Sequence, residues 1–349
     1  VLRAYPRSEL VRILSFITVP ALLGPLLGPT LGGWMVEWLS WHWIFFINLP
    51  VGALGCWAVW NLVPDLRGAE RTRFDGIGFL LFGAAMVLIT IAMEGLGELH
   101  LPHLRVMLLL FVGMACLAAY WLRAGKIDNP LFSPKLFHTR TFAIGILGNL
   151  FARLGSGALP FMVPLLLQVA LGHSPSEAGM SMIPLAAAAM VAKSFSRPII
   201  ERLGYRIVLT GNTLLLGLLL ASLGLVSETT PYWLLLTQLG LLGAVNSLQF
   251  AAMNTVTLID LDDESASSGN GLLSVVAQLS LGLGVACAGA LLGGFTASLG
   301  NEGVDTVLGA FQATFLTIGL MAMLAAGIFV QLSDSDGRRA PRQEPPVEH

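Results

Sequence analysis

Charged side chains are scarce in this sequence. Among its 349 residues there are 19 Lys and Arg and 21 Asp and Glu, so that 11% are charged, whereas 55% are hydrophobic. A soluble globular domain carries about a quarter charged residues, and the composition therefore excludes that class. A helix that spans a bilayer needs roughly 20 mainly apolar residues, so the apolar content suffices for on the order of ten spans.

Alternation of apolar and polar residues is also lacking, because the apolar runs are continuous. A transmembrane β-barrel requires such alternation, so this architecture is excluded as well. We therefore predict an all-α, polytopic membrane protein that is a bundle of about ten transmembrane helices. The predicted spans are 12–37, 44–63, 76–94, 105–122, 141–170, 177–200, 206–226, 232–258, 267–297 and 306–331.

Cysteines are few, and they do not form a motif. Cys56, Cys116 and Cys287 lie in separate apolar runs at unrelated spacings, which is typical of neither a disulfide framework nor a zinc site. We predict that the protein has no cofactor and no metal site. The net charge of −2 provides no broad basic surface, so nucleic acid is not an expected partner.

Motifs of membrane enzymes are absent from the sequence. It contains no H-E-x-x-H, no paired carboxylates within a span and no glycine-rich nucleotide loop, which argues against an enzyme. A sensor or scaffold usually adds a soluble signalling domain, whereas about 17 polar residues follow the last predicted span. The sequence favours a transporter with the lipid bilayer and a small-molecule substrate as partners, and the two alternatives stay open at this point.

The positive charges lie almost entirely on one side of the predicted spans. When successive connections are assigned to alternating sides, 17 of the 19 cations fall in the segments 3–12, 67–73, 123–140, 193–206 and 338–342. Arg105 lies on the other side, and Arg153 falls within a span. Because Lys and Arg are enriched in cytoplasmic loops, we predict that both ends of the chain are cytoplasmic.

Three short motifs stand out at the start of the chain. In the first predicted span, Gly24, Gly28 and Gly32 recur at every fourth residue, so they lie on one helix face that can approach another helix closely. A plain packing face explains such a repeat about as well as a specific function does. The other two motifs are W-H-W-I-F-F-I-N-L-P-V-G at 41–52 and F-D-G-I-G at 74–78.

Together these motifs resemble those of fourteen-span drug:proton antiporters in the major facilitator superfamily. The segment at 41–52 is similar to W-R-W-I-F-x-I-N-x-P-x-G of that branch, with His42 in place of Arg, and the segment at 74–78 matches F-D-x-x-G of the seventh span. The run at 24–33 resembles the antiporter signature of the fifth span, and the residues that carry the likeness are Gly24, Pro25, Gly28, Pro29, Gly32 and Gly33.

The resemblance implies a domain organisation and a function. It implies two last helices of the N-terminal half at 1–63, two linker helices at 64–123, a six-helix C-terminal half at 124–332 and a disordered cytoplasmic tail at 333–349. Four spans would then be absent, so we expect the 349-residue chain alone to insert but not to transport. The implied activity is proton-coupled efflux of small amphipathic molecules or drugs across the inner membrane by alternating access, performed by a protein that is monomeric at full length.

A weaker likeness lies between the sixth and seventh predicted spans. The segment at 198–206 is similar to the cytoplasmic loop motif G-x-x-D-R-x-G-R-R of the same family, with Pro198 in place of the leading Gly. The implied role is a charge clamp on cytoplasmic helix ends, and ordinary positive-inside topology is the equally open alternative. The residues of this motif are Glu201, Arg202, Gly204 and Arg206.

Polar residues inside the spans are the candidates for the substrate and proton pathway, because a polar group in hydrocarbon usually faces a cavity or a partner. Arg153 lies about twelve residues into its span, roughly 18 Å along a hydrocarbon core of about 30 Å. For the amides, interhelical hydrogen bonding is an open alternative. No acidic residue lies deep in a span, and the resemblance places the proton-carrying carboxylate in the missing helices. The candidates are Asn149, Arg153, Asn246, Gln249, Asn254 and Gln278.

Two packing expectations follow from the small residues. By the family arrangement, the face of Gly24, Gly28 and Gly32 should pack against the alanine-rich segment 186–192 of the sixth predicted span. The ninth predicted span should present a small-residue face without its partner helix. That face comprises Gly282, Gly284, Ala288, Gly289 and Gly293.

Overall fold

A computed structural model describes residues 28–62, 75–97, 102–127, 129–299, 304–333 and 336 of the chain. These residues are helical apart from short connections, and nine of their helices or helix pairs are long and apolar enough to cross a membrane. The nine coincide with the second to tenth predicted spans. Most of the first predicted span, including Gly24 and Pro25, lies outside the described residues.

The helices follow one another with short connections. We number them α1 to α12; α1 covers 28–38, and a 3-10 turn, Pro134–His138, precedes α6. A π-helical turn, Leu166–Ala170, extends α6. The others are α2 (Trp43–Phe46), α3 (Asn48–Leu62), α4 (Gly76–Gly97), α5 (His103–Ala124), α6 (Arg140–Leu165), α7 (Pro175–Ser181), α8 (Ile183–Leu203), α9 (Tyr205–Leu223), α10 (Tyr232–Leu258), α11 (Asp263–Leu299) and α12 (Val304–Phe329).

The sixth predicted span is two helices rather than one. Helix α7 begins at a capping box, in which the Ser174 side chain accepts from the Glu177 backbone N–H and the Glu177 carboxylate accepts from the Ser174 backbone N–H. Helix α8 starts after Met182, and Pro184 occupies its first turn, where a missing backbone N–H is tolerated. The hydropathy of the segment is continuous, so the sequence pattern alone did not reveal this break.

The described residues form two compact units. The first contains α1 to α3 together with Val163–Ala192 and Glu228–Ala244, and the second contains the other described residues. In the first unit, α1 crosses α7 at two glycines. A Cβ atom at Gly33 would overlap the carbonyl group of Pro175, and one at Gly179 would overlap the carbonyl group of Pro29. This reciprocal fit is possible only because both positions lack a side chain.

The predicted contact of the Gly28 and Gly32 face with the alanines of α8 is therefore wrong. A Cβ atom at Gly28 or at Gly32 would meet no described atom within 4 Å, and Ala188 instead faces Gly240 of α10. The partner of α1 does belong to the sixth predicted span, as expected, but it is α7 rather than α8. The contact also uses the neighbouring stripe of α1. Adjacent residues point about 100° apart around a helix, and both stripes of this glycine- and proline-rich run are small.

The second unit holds α4 and α5 against the helices that follow them in the chain. Helices α4 and α5 pack on each other, and Phe82 of α4 and Tyr120 of α5 meet Phe132, which precedes α6. The same buried cluster includes Phe142 of α6 and Leu272 of α11. A second cluster joins α6, α9, α10 and α12.

The structure explains the Asp of the F-D-G-I-G motif. The Asp75 carboxylate accepts from the Gly78 backbone N–H at 2.9 Å, so it caps α4, and it also accepts from Arg123 Nη2 of α5 at 3.2 Å. A Cβ atom at Gly78 would overlap this carboxylate. The motif therefore ties the start of α4 to the end of α5.

The small residues of α11 do not all point in the same direction. A Cβ atom at Gly284 would overlap the carbonyl oxygen of Leu154 on α6, and Ala288 is fully buried. Positions Gly282, Gly289 and Gly293 meet no described atom within 4 Å. The expectation that this whole face lacks a partner is thus wrong for Gly284, because residues 282 and 284 point in directions about 200° apart around the helix.

Tyr120→Phe should destabilise the attachment of α5 to the segment that precedes α6. The Tyr120 hydroxyl donates to the Phe132 carbonyl at 2.9 Å and accepts from the Phe132 N–H at 2.7 Å, and the residue is fully buried. Removing the hydroxyl leaves both backbone groups unsatisfied, so the free energy of unfolding should fall by about 1 to 3 kcal/mol. Thermal unfolding in detergent measures this change. Tyr232→Phe, at an exposed tyrosine, is the control, and an equal loss in both variants would contradict the prediction.

Candidate transport site

Arg153 lies in the middle of α6 and is only 7% exposed. Its Nε donates to Asn149 Oδ1 at 2.8 Å, and its Nη2 donates to Asn254 Oδ1 of α10 at 3.0 Å. The ring centroid of Phe250, also on α10, lies 3.9 Å from the guanidinium carbon. The guanidinium is thus held by two amides and one aromatic face.

The spacing of these residues explains how two helices build one site. Asn149 precedes Arg153 by four residues on α6, and Phe250 precedes Asn254 by four on α10, so each pair lies on one helix face. The two helices can approach closely because Gly145 has no side chain. A Cβ atom at this position would overlap the Thr257 side chain. Close approach at a small residue is the usual way that membrane helices associate.

Asn149 is oriented by a second set of hydrogen bonds. Its Nδ2 donates to the Gly145 carbonyl at 2.9 Å and approaches Thr257 Oγ1 at 3.5 Å, which leaves Oδ1 to accept from Arg153. Arg at the centre of a span costs at least about 2.5 to 3.5 kcal/mol on insertion scales. Hydrogen bonds to a charged group contribute about 1.5 to 3 kcal/mol each, so two amide acceptors offset a substantial part of that cost.

Gln249 belongs to a different hydrogen-bond network. It is fully buried, it accepts at Oε1 from Asn212 Nδ2 of α9 at 3.0 Å, and its Nε2 donates to Thr213 Oγ1 at 2.7 Å. Asn212 also donates to the Val245 carbonyl at 2.8 Å. Asn212 and Thr213 were not among the candidates from the sequence. An Asn next to a Thr within an apolar span is the sequence feature that could have indicated this network.

The remaining polar candidates stand apart from Arg153. Asn246 is half-buried, and its Oδ1 is buried without a hydrogen-bond partner among the described residues. Gln278 is exposed on α11. The structure therefore brings together Asn149, Arg153 and Asn254 of the six candidates, while the roles of all six stay predictions.

The loop motif between α8 and α9 forms a sharp turn. Gly204 has φ 79° and ψ 159°, a region that only glycine occupies readily, and it directly precedes α9. Glu201 pairs with Arg197 on the exposed surface of α8, with 2.7 Å between Oε1 and Nε. Arg202 is exposed, and Arg206 lies in the first turn of α9. The glycine of this motif is thus required by backbone geometry.

We expect the substitution Gly204→Ala to strain the backbone at this position and to destabilise the protein. A Cβ atom there meets no described atom within 4 Å, so crowding is not the reason. An L-residue in this region costs on the order of 1 to 3 kcal/mol, and we expect a loss of that size in the free energy of unfolding in detergent. Gly211→Ala, in the open interior of α9, is the matched control and should be neutral or mildly stabilising. A neutral Gly204→Ala would contradict the prediction.

An open apolar groove lies in the first unit between α8 and α10. The space along this groove has a volume of about 640 Å³. Its single hydroxyl-bearing side chain is that of Thr237, and its α8 wall includes Pro184, Ala188 and Val191. The alanine stripe of α8 therefore lines open space as well as facing α10.

Comparison with known proteins decides the family. The sequence model of the Major Facilitator Superfamily matches residues 1–285 and, in a second overlapping match, 145–348. The chain belongs to the major facilitator superfamily. The family resemblance and the all-α, polytopic fold predicted from the sequence are both confirmed, and the chain is a multi-pass membrane protein of a transporter family.

This major facilitator chain is similar to several named bacterial proteins. A protein of Pectobacterium carotovorum subsp. carotovorum is 44% identical over 329 residues, which cover 94% of this chain and 70% of the relative. A Serratia proteamaculans protein is 42% identical over 346 residues, 99% of this chain and 72% of the relative. An Escherichia coli protein is 43% identical over 332 residues, 95% of this chain and 70% of the relative. All three are provisionally named multidrug resistance protein MdtD.

Proposed function

We propose that the protein containing this chain exports small amphipathic molecules, including drugs, across the inner membrane by proton-coupled alternating access. The observation that carries the proposal is the buried guanidinium of Arg153, held at the middle of α6 by side chains of two helices. A charged group so deep in a span usually marks a substrate or ion pathway. The names of the relatives support drug export as part of this proposal.

The open apolar groove between α8 and α10 supports a substrate with an apolar part. Sites for small organic molecules are lined mainly by apolar side chains with few polar groups, and this groove has such a lining. We further propose that the protein acts as a monomer, with both ends of this chain cytoplasmic, as the cation distribution predicts.

Proton coupling requires a group that gains and loses a proton during the cycle. No Asp or Glu lies in the interior of a predicted span of this chain. We propose that the coupling carboxylate lies in the four further spans that the family register adds. The antiporter-signature residues Pro29 and Gly33 then act at a helix contact rather than in proton transfer.

The test is export by the complete gene product in inverted membrane vesicles. A fluorescent amphipathic probe should accumulate when a pH gradient is imposed, and an uncoupler should abolish the accumulation. Vesicles without the protein are the control. Accumulation that persists without a gradient, or that requires ATP instead, would contradict proton-coupled transport.

A further inference from the structure

The guanidinium of Arg153 has only neutral contacts in the described chain. Both of its hydrogen-bond acceptors are amide oxygens, and its third contact is the ring of Phe250. The ion pairs among the described residues involve other cations. Buried charges in proteins are normally paired with an opposite charge, whereas Arg153 has no counter-ion among the described residues.

The predicted spans provide no carboxylate to fill that role. Their interiors contain neither Asp nor Glu. The acidic residues of α7, α8 and α11 lie at helix ends, and Glu177 and Glu201 already pair with His173 and Arg197. Within these spans, no carboxylate neutralises the positive charge of Arg153, which leaves that charge for a ligand to pair with.

The geometry leaves one edge of the guanidinium for that ligand. Nε is engaged by Asn149, which is fully buried, and one face is covered by Phe250. Nη2 is engaged by Asn254, which is exposed, and no described residue accepts from Nη1. The donors that remain for a ligand are thus Nη1 and the second hydrogen of Nη2, next to the exposed Asn254. A carboxylate fits two parallel N–H donors of an Arg in a bidentate arrangement.

We propose that the Arg153 site binds the carboxylate of an amphipathic organic anion, so that anions are the preferred substrates of this transporter. The inference rests on the proposed function and adds a charge preference to it. Arg153 pairs with the carboxylate, and Asn254 is the partner that rearranges to admit it. A cationic amphiphile meets repulsion from Arg153, and no described acid lies in contact with Arg153 to offset it.

The experiment measures binding and export separately for three probes on one scaffold. The probes are dansyl-glycine, which carries a carboxylate, its neutral methyl ester, and dansyl-cadaverine, which carries an amine. Binding to the complete gene product in detergent is followed by dansyl fluorescence, and export is followed in inverted vesicles. We expect the wild-type protein to bind the carboxylate at least about tenfold more tightly than the amine.

Two variants test the residue, and a third is the control. Arg153→Gln should weaken binding of dansyl-glycine at least about tenfold and change binding of the ester less than about twofold. Asn254→Asp places a resident carboxylate beside Arg153, so it should also weaken dansyl-glycine binding while the protein stays folded. Arg105→Gln, at an exposed arginine of α5, should leave all three affinities unchanged.

The outcomes separate this inference from the proposed function. Charge-selective binding that both variants remove supports the inference, and absence of gradient-driven export beside such binding would contradict only the proposed function. Tighter binding of the amine, or an equal loss for all three probes in Arg153→Gln, would overturn the inference. If Arg153→Gln does not fold, unchanged binding of dansyl-glycine in Asn254→Asp would overturn it.

Discussion

Gly33→Val should strongly reduce both stability and transport. At this position even a Cβ atom would overlap the backbone of α7 at Pro175 and Ser176, and backbone atoms cannot move aside as a flexible side chain can. Two further bonds between these helices depend on the same spacing. Thr30 donates to the Gly179 carbonyl at 3.4 Å, and the Ser176 N–H donates to the Glu37 carboxylate at 3.0 Å.

The expected loss is about 1 to 3 kcal/mol of stability from overpacking, with export reduced on the order of tenfold or more. Thermal unfolding in detergent and export by vesicles measure the two effects. Gly32→Val is the matched control, because it lies one residue earlier and its Cβ meets no described atom within 4 Å. If Gly32→Val were the more damaging variant, the stripe assigned to this contact would be wrong.

Arg153→Met should abolish export while expression and membrane insertion persist. Methionine fills a similar space without charge, so the helix loses a costly buried cation and gains apolar character. The substitution leaves Asn149 Oδ1, which is fully buried, without its donor, at about 1 to 3 kcal/mol, whereas Asn254 is exposed. Because the insertion gain and the unsatisfied amide oppose each other, folding should change far less than transport.

Gradient-driven export of an amphipathic probe measures this effect, and the amount of protein recovered from the membrane measures insertion. Arg105→Met, on the exposed surface of α5, removes the same charge at a site without these contacts and should export normally. Undiminished export by Arg153→Met would eliminate the role assigned to Arg153 in transport.

Local composition was sufficient to predict the spans. A helix in a bilayer satisfies its own backbone hydrogen bonds, so a continuous apolar run of about 20 residues predicts a span without knowledge of its neighbours. For this reason helices α3 to α6 and α8 to α12 lie where hydropathy placed them. The resemblance to the major facilitator superfamily likewise rested on short contiguous motifs, and the family comparison confirmed it.

The Arg153 site was partly predictable. The depth of Arg153 and the four-residue spacing from Asn149 depend only on helix geometry, and the structure places these two side chains in contact. The partner from α10 was not predictable, because three amides were candidates on that helix. Asn254 faces α6, whereas Gln249 faces Asn212 of α9.

The sequence by itself determined the class of protein, its spans, the family motifs and the depth of Arg153, because each depends on residues close together along the chain. The tertiary structure alone decided which stripe of α1 meets α7, which amide meets Arg153 and which glycine of α11 meets α6. Each of these contacts depends on the rotation of a helix about its axis. That rotation is set by the fit of residues far apart in sequence, such as Gly33 with Pro175 and Gly145 with Thr257, and a one-residue difference in register turns the contact by about 100°.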